Sequence, residues 1–111
     1  MFEINGILWR ILFVNGNSEH LMRSDGSHSL AVSDWNDKTL YLSDIPKNGY
    51  LRKILAHELC HCFCFSHNIS MPIEQEEYLA DWISLYGTDL IYLLDDQLRS
   101  EERFSRNAET D

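Results

Sequence analysis

"YLRKILAHELCHCFCFSH", residues 50–67, combines the apolar spacing of a buried helix with a dense set of metal-binding side-chain types. Apolar residues recur every three or four positions, at Tyr50, Leu51, Ile54, Leu55, Leu59 and Phe63. A period of about 3.6 residues predicts an amphipathic helix from about residue 48 to residue 65. We expect this helix to be the central element of the fold and to carry the chemistry of the chain.

Two β-hairpins are predicted before this helix. In "FEINGILWRILFV", residues 2–14, the dipeptide Asn5-Gly6 separates two apolar runs and is a strong signal for a two-residue hairpin turn. A second pair of alternating segments, around residues 30–32 and 40–42, is separated by a polar turn at residues 34–37. The sequence therefore predicts a small antiparallel sheet made of two hairpins and packed on the helix.

Two further helices are predicted after residue 70. "IEQEEYLADWISLY", residues 73–86, follows Pro72, and Gly87 is expected to end or kink that helix. Thr88 to Leu98 would form a third helix or continue the second one. We expect residues 1–98 to be a single α+β domain. Residues 99–111, with one large apolar residue in the segment, are expected to be a disordered acidic tail.

Charge and cysteine content exclude several classes of protein. The formal net charge is -9 and the nine Lys and Arg residues are scattered, so the chain lacks the basic surface that nucleic-acid binding requires. The apolar run at residues 7–14 is interrupted by Arg10 and is too short to span a bilayer, and no basic head of a signal peptide precedes it. Three cysteines spaced two apart cannot form a disulfide framework. We expect a soluble, cytoplasmic protein that binds neither a membrane nor nucleic acid directly.

His57 and His61 are four residues apart, and Glu58 follows the first of them. On a helix this spacing places both imidazoles on one face, where each can reach one ion at about 2 Å. Glu58 lies about 100° around the helix, so it is better placed to reach a water molecule on the open side of the ion than to bind the ion. The H-E-x-x-H pattern therefore predicts a zinc site with Glu58 as general base. The alternative is two hydrogen-bonded histidines on a buried helix without a metal.

A catalytic zinc ion needs a third protein ligand and an open coordination position. His67 would complete the metzincin spacing, although Cys64 stands where that pattern has a chain-turning glycine. Glu77 and Asp81, four apart on the next helix, offer a pair in which Glu77 binds the ion and Asp81 accepts a ring N–H of a liganding histidine. We favour Glu77, with His67 as the alternative third ligand and a shift of the role to Glu76 left open.

The three cysteines are weaker candidates for metal binding. Cys60 and Cys62 point about 100° or more away from the two histidines, which favours packing in the interior. Cys64 returns to the histidine face one turn later and is a candidate for lining the cleft. A donor for an oxyanion would also be needed, and the sequence does not rank its four candidates: Tyr50, His67, Tyr78 and Tyr86.

"LAHELCHCF" followed by "EQEEYLADWISL" resembles the ImmA/IrrE-type metallopeptidases of bacteria, phages and other mobile elements, whose pattern is H-E-x-x-H and then E-x-x-A-N/D. The resemblance covers about residues 51–98, and the two strand-forming segments are similar to the sheet of small phage-type members. The length is similar to that of minigluzincins. The resemblance implies a zincin-like, single metallopeptidase domain with a gluzincin site: His57, His61 and Glu77 as zinc ligands, Glu58 as general base and Asp81 as support for a histidine.

The resemblance also implies a zinc metalloendopeptidase that acts on a protein or peptide, such as a repressor or other regulatory protein of a phage or mobile element. The alternative is a zinc-binding interaction module whose peptidase activity is weak or latent. The short chain and the lack of an obvious oxyanion donor favour this alternative. Glu58 argues against it, because a purely structural zinc site has no use for a carboxylate beside its open position.

Overall fold

The fold is an α+β arrangement of four strands followed by two long helices. The computed structural model describes residues 1–110, with side chains described for residues 1–100. The elements are β1 (Phe2–Ile4), β2 (Ile7–Val14), a 3₁₀ turn at Glu19–Leu21, β3 (Ala31–Asp34), β4 (Thr39–Ser43), α1 (Asn48–Ser66) and α2 (Ile73–Thr110). The predicted α+β class is confirmed.

Both predicted hairpins are present. β1 pairs antiparallel with β2, and the turn between them has positive φ at Asn5 (50°) and at Gly6 (78°). This is the backbone conformation that the Asn-Gly dipeptide favours, because both residues tolerate a positive φ. β3 pairs antiparallel with β4, and the turn between them ends at Lys38, which also has a positive φ.

The sheet that joins the two hairpins is mixed, so the prediction of an antiparallel sheet was wrong. The strand order is β1-β2-β4-β3, and β2 lies parallel to β4. The segment between β2 and β3 stays at the end of the sheet where β2 stops, because Val14 pairs with Ser43 and Ala31 pairs with Leu42. β3 runs back with room for one strand between it and β2, and β4 then enters that position in the direction of β2. As a central strand, β4 is covered on both sides and is buried at all five positions. β3 is left at the outer edge of the sheet.

Helix α1 packs on the sheet, but its buried face differs from the predicted one. The core contains Ile4, Trp9, Leu40, Leu42 and Cys62, with Leu51, Ile54, Leu55, Leu59 and Phe65 packed against it. Tyr50 and Phe63, which we expected on the buried face, are more than half exposed. Because α1 is covered by the sheet on one side and by α2 on another, the small cysteines take the buried positions instead.

Helix α2 runs antiparallel to α1 and replaces the two helices predicted after residue 70. Within the residues described, the domain therefore has two α-helices rather than three. Gly87 does not end the helix, and a Cβ there would lie 3.2 Å from Cγ2 of Ile83, one turn earlier. A glycine inside a helix costs about 1 kcal/mol relative to alanine, which a long helix tolerates. The disordered tail predicted for residues 99–111 lies, beyond Ser100, outside the residues with described side chains and stays a prediction.

Neither helix, over the part of the chain that the structure describes, contains a stretch long and apolar enough to cross a membrane.

A buried hydrogen bond joins the first hairpin to the end of α1. The indole Nε1–H of Trp9 donates to Oγ of Ser66 at 2.8 Å, and the Asn5 side-chain amide donates to the backbone carbonyl of Ser66 at 3.1 Å. Trp9 also stacks on Phe65 with ring centroids 6.3 Å apart. These contacts fix the C-terminal end of α1 on the sheet and so fix the direction in which the chain leaves it.

The Ser66→Ala variant should be less stable than the parent protein by about 1–3 kcal/mol, because it leaves the buried indole N–H of Trp9 without an acceptor. Urea unfolding followed by circular dichroism measures this difference. Ser70→Ala, at an exposed position after the helix, is the matched control and should change stability by less than about 0.5 kcal/mol. Equal midpoints for the two variants would contradict the role assigned to this hydrogen bond.

A candidate metal centre between the two helices

The antiparallel helix pair brings the two motifs together. Helix α1 ends at Ser66, and Asn68 adopts a positive φ of 56° that turns the chain toward α2. The backbone N–H of Ile69 donates to the carbonyl of Cys64 at 2.9 Å, which closes the end of the helix. Helix α2 then begins at Ile73. The glycine-like turn that the metzincin spacing requires at Cys64 is made four residues later, at Asn68.

Three of the predicted ligands meet at one point. Nε2 of His57 lies 3.2 Å from Nε2 of His61, and the Glu77 carboxylate lies 3.2 Å from the first nitrogen and 3.0 Å from the second. A tetrahedral ion with bonds of about 2.0–2.1 Å separates its ligand atoms by about 3.3 Å. His57, His61 and Glu77 therefore form a group that could hold a metal ion.

The other ring nitrogen of each histidine faces a carboxylate. Nδ1 of His57 lies 2.9 Å from Oδ1 of Asp81, and Nδ1 of His61 lies 2.5 Å from Oε2 of Glu76. An ionised carboxylate at this position would accept a hydrogen bond from Nδ1 and leave Nε2 of the same ring with its lone pair, which is the tautomer that a metal ligand needs. Two lone pairs that face each other in this way repel unless a cation or proton lies between them. In that tautomer the donor set could hold a cation.

The structure brings Asp81 to one of the two histidines and Glu76 to the other, and the second contact is not predicted from the sequence. Glu76 is buried, with 8% of its surface exposed, and pairs with His61, which is 7% exposed. The sequence left open a shift of the ligand role to Glu76, but the group that could hold a metal ion contains Glu77. The sequence offers one signal for this contact. Two metal-binding histidines would need two hydrogen-bond acceptors for their other ring nitrogens, and Asp81 supplies only one of them. Two carboxylates beside a divalent site also balance its charge.

A hydrogen bond from a residue of the sheet fixes the side chain of Glu58. Oγ of Ser33 donates to Oε2 of Glu58 at 2.6 Å and lies 3.2 Å from the backbone carbonyl of the same residue. Ser33 belongs to the edge strand β3, and nothing in its spacing to the H-E-x-x-H motif, 24 residues away or more, pointed to this contact. The contact joins the position of the edge strand directly to that of Glu58.

These side chains line one cleft of about 640 Å³ between β3, α1 and α2. Leu30, Ala31 and Val32 form one wall, and Glu58 lies in the same cleft as the three grouped side chains. Of the four candidate oxyanion donors, Tyr50 lines the cleft, whereas Tyr78, Tyr86 and His67 are not among its lining residues. Arg23 and Lys53 also line it and add positive charge beside the carboxylates.

The remaining candidates from the quoted stretch lie outside the metal group. His67 is exposed at the end of α1 and stacks on Phe63, with ring centroids 5.8 Å apart. Cys60 and Cys64 are buried against Ala80, and Cys62 is buried in the core. Burial raises the pKa of the Cys60 and Cys62 thiols to about 11, which keeps both protonated and inert at neutral pH. Packing, as predicted for Cys60 and Cys62, describes Cys64 as well.

Comparison of the chain with protein-family models, with curated proteins and with solved structures finds no match. The case for metal binding therefore rests on the side-chain geometry of the site and on the two sequence motifs.

Glu77→Ala should abolish binding of one zinc ion per chain, because it removes one of three converging ligands. Isothermal titration of the metal-free protein with zinc, or competition with a chromogenic chelator, measures the loss. His67→Ala and the exposed Glu74→Ala are matched controls that should keep the parent affinity within about threefold. Loss of zinc in His67→Ala with retention in Glu77→Ala would overturn the assignment of the third ligand.

Proposed function

We propose that this protein is a zinc-dependent metalloendopeptidase. The observation that carries the proposal is the convergence of Nε2 of His57, Nε2 of His61 and the Glu77 carboxylate at 3.0–3.2 Å from one another, in a cleft that also contains Glu58. Three protein ligands and an open position are typical of catalytic rather than structural zinc sites. The resemblance of the sequence to ImmA/IrrE-type metallopeptidases rests on the same motif residues and agrees with this proposal.

Zinc is the cation that this donor set favours. Two imidazole nitrogens and one carboxylate oxygen are the ligands of gluzincin-type catalytic sites, whereas magnesium and calcium prefer oxygen ligands throughout. When bound, zinc would lower the pKa of water toward neutrality and polarise the carbonyl of a peptide bond. Glu76 and Asp81 would hold the two imidazoles in the orientation that binding requires.

Glu58 would act as the proton carrier of the reaction. Its carboxylate would accept a proton from the attacking water and return it to the amine of the leaving fragment. The hydrogen bond from Ser33 occupies one carboxylate oxygen, Oε2, and leaves Oε1 for this exchange. Ser33 would thus fix the orientation of the carboxylate. Tyr50, as the candidate donor that lines the cleft, is our choice for hydrogen bonding to the oxyanion.

An extended substrate would pair with the edge strand β3. The carbonyl of Leu30 accepts from the backbone N–H of Ser43, so the antiparallel register directs the backbone groups of residues 30, 32 and 34 at β4. The backbone groups of Ala31 and Ser33 therefore point to the open edge, beside the cleft. Strand addition at such an edge holds a substrate by its main chain and tolerates many side chains. A protein substrate is the expectation, and a regulatory protein of a phage or mobile element is the choice that the resemblance supports.

Glu58→Gln should keep one zinc ion per chain and lose at least about 100-fold in the rate of hydrolysis of casein or a quenched fluorescent peptide, because glutamine cannot accept the proton. Metal analysis and initial rates on the same preparation measure both properties. Glu74→Gln is the matched control on α2 and should keep the parent rate. Equal rates in Glu58→Gln and the parent would refute the mechanism. Zinc binding without any hydrolysis by the parent would favour the interaction module instead.

Ala31→Pro should raise KM for a peptide substrate several-fold with little change in zinc affinity, because it removes the outward-facing N–H of Ala31 without removing a bond to β4. Val32→Pro is the contrasting variant. It removes a backbone N–H that is directed at β4 and should lower the thermal midpoint instead. An unchanged KM in a folded, zinc-binding Ala31→Pro protein would rule out pairing at this edge.

A further inference from the structure

Helix α2 continues beyond the end of its partner helix with its apolar face open. Arg52, in the second turn of α1, donates to Oγ1 of Thr88 at 2.8 Å, and α1 begins only four residues before Arg52. Past Thr88, therefore, α1 does not extend alongside α2. Yet the chain there reads "DLIYLLDDQL", and its large apolar side chains are about half exposed. A helix segment of this kind is unusual on an isolated soluble domain.

The open face lies on the side of α2 next to the side that carries Glu77, Asp81 and Thr88, the residues in contact with α1. Residues spaced four, three, four and four apart lie along one side of the helix: Ile83, Gly87, Leu90, Leu94 and Leu98. The acidic residues Asp89, Asp95 and Asp96 project on the other sides. We name the five aligned positions, with Tyr86, Ile91 and Leu93 at their margins, the α2 stripe. No position of the α2 stripe carries a charge.

The size of the α2 stripe fits a protein interface. At about 100 Å² for each half-exposed large side chain, it presents roughly 700 Å² of apolar surface. The largest apolar patch on a typical monomer is about 300–600 Å², and each partner in a stable complex of standard size contributes about 800 Å². A stripe of leucine and isoleucine is complementary to itself.

The α2 stripe also contains a socket. An apolar pocket of about 560 Å³ lies over Gly87 and is lined by Leu79, Trp82, Ile83, Leu90 and Ile91, with Arg52 at its rim. The missing side chain of Gly87 leaves room that a large side chain from outside can fill. Leu94, seven residues along the same stripe, is such a side chain, but it lies two helical turns from the socket of its own chain and cannot fill it.

We propose that a second copy of this chain covers the α2 stripe, with the two α2 helices antiparallel. In the register centred between Leu90 and Ile91, Leu94 of each copy enters the socket over Gly87 of the other, and Leu98 lies against Ile83. The residues after Leu94 are Asp95 and Asp96, which this register brings to the rim that carries Arg52. The antiparallel direction also keeps the two metal clefts, and the net charge of -9 on each chain, at opposite ends of the seam.

Sedimentation equilibrium of the full chain tests the proposal. The parent protein should sediment at twice the chain mass of 13.0 kDa, and Leu94→Lys should weaken association by at least about thirtyfold. Lysine is chosen because it reduces the net charge of -9 on each chain, so that a loss of association cannot come from a larger net charge. Leu85→Lys is the matched control: Leu85 is 52% exposed, as Leu94 is 50% exposed, but lies on the opposite side of the helix. It should dimerise like the parent.

Two outcomes would overturn the proposal: a parent protein that stays monomeric over a hundredfold range of concentration, or equal association of the two lysine variants. Oxidative cross-linking tests the register. A mixture of Gly87→Cys and Leu94→Cys chains should give a disulfide-linked heterodimer, whereas Leu94→Cys alone should not cross-link. Efficient cross-linking of Leu94→Cys with itself would overturn the antiparallel arrangement. Circular dichroism and zinc stoichiometry on each variant establish that the domain is folded in every comparison.

Discussion

The close approach of α1 and α2 at Ala80 is the constraint on which the rest of the structure depends. Ala80 is completely buried against Cys60 and Cys64, so a methyl group and two thiols are all that separates the helices there. On either side of Ala80 along α2 lie Glu77 and Asp81, which contact the histidines of α1. A larger side chain at this position would push the helices apart, and the distances of 3.0–3.2 Å in the metal group would be lost. The small side chains of Cys60 and Cys64 thus permit the close helix contact on which the geometry of the site depends.

Polar groups can be buried at this helix contact because each has a hydrogen-bond partner. Among the residues with described side chains, no buried side-chain nitrogen or oxygen is left without a hydrogen bond. The pairing of His61 with Glu76 matters most, because burial of an unpaired carboxylate or imidazole is costly. Without a cation, however, the facing Nε2 atoms and the surrounding carboxylates leave the centre rich in negative charge. Metal binding and helix packing therefore favour the same arrangement, and each should stabilise the other.

The sequence predicted what local rules determine. Asn5-Gly6 defined the first hairpin because its backbone requirement is met within two residues, and the H-E-x-x-H spacing placed both histidines because a helix fixes their separation. The parallel pairing of β2 with β4 depends instead on where residues 15–30 place β3, with room for β4 between it and β2, and no short pattern records that placement. The Ser33 contact with Glu58 depends on the placement of β3 too. Glu76 was missed for a different reason, because its neighbour Glu77 has the same chemistry and only the helix rotation tells them apart.

Gly87 shows how a valid local preference can predict the wrong secondary structure. Glycine favours the ends of helices because it readily adopts a positive φ, and that preference predicted a break in α2. The preference decides the outcome only where the chain gains from turning. Here the residues on both sides share one apolar stripe, and an unbroken helix keeps that stripe aligned from Ile83 out to Leu98. The cost of a glycine inside the helix, about 1 kcal/mol, is small beside the burial of several large apolar side chains at about 1.5–3 kcal/mol each. A glycine at this position is then better explained by the space it leaves than by the turn it permits.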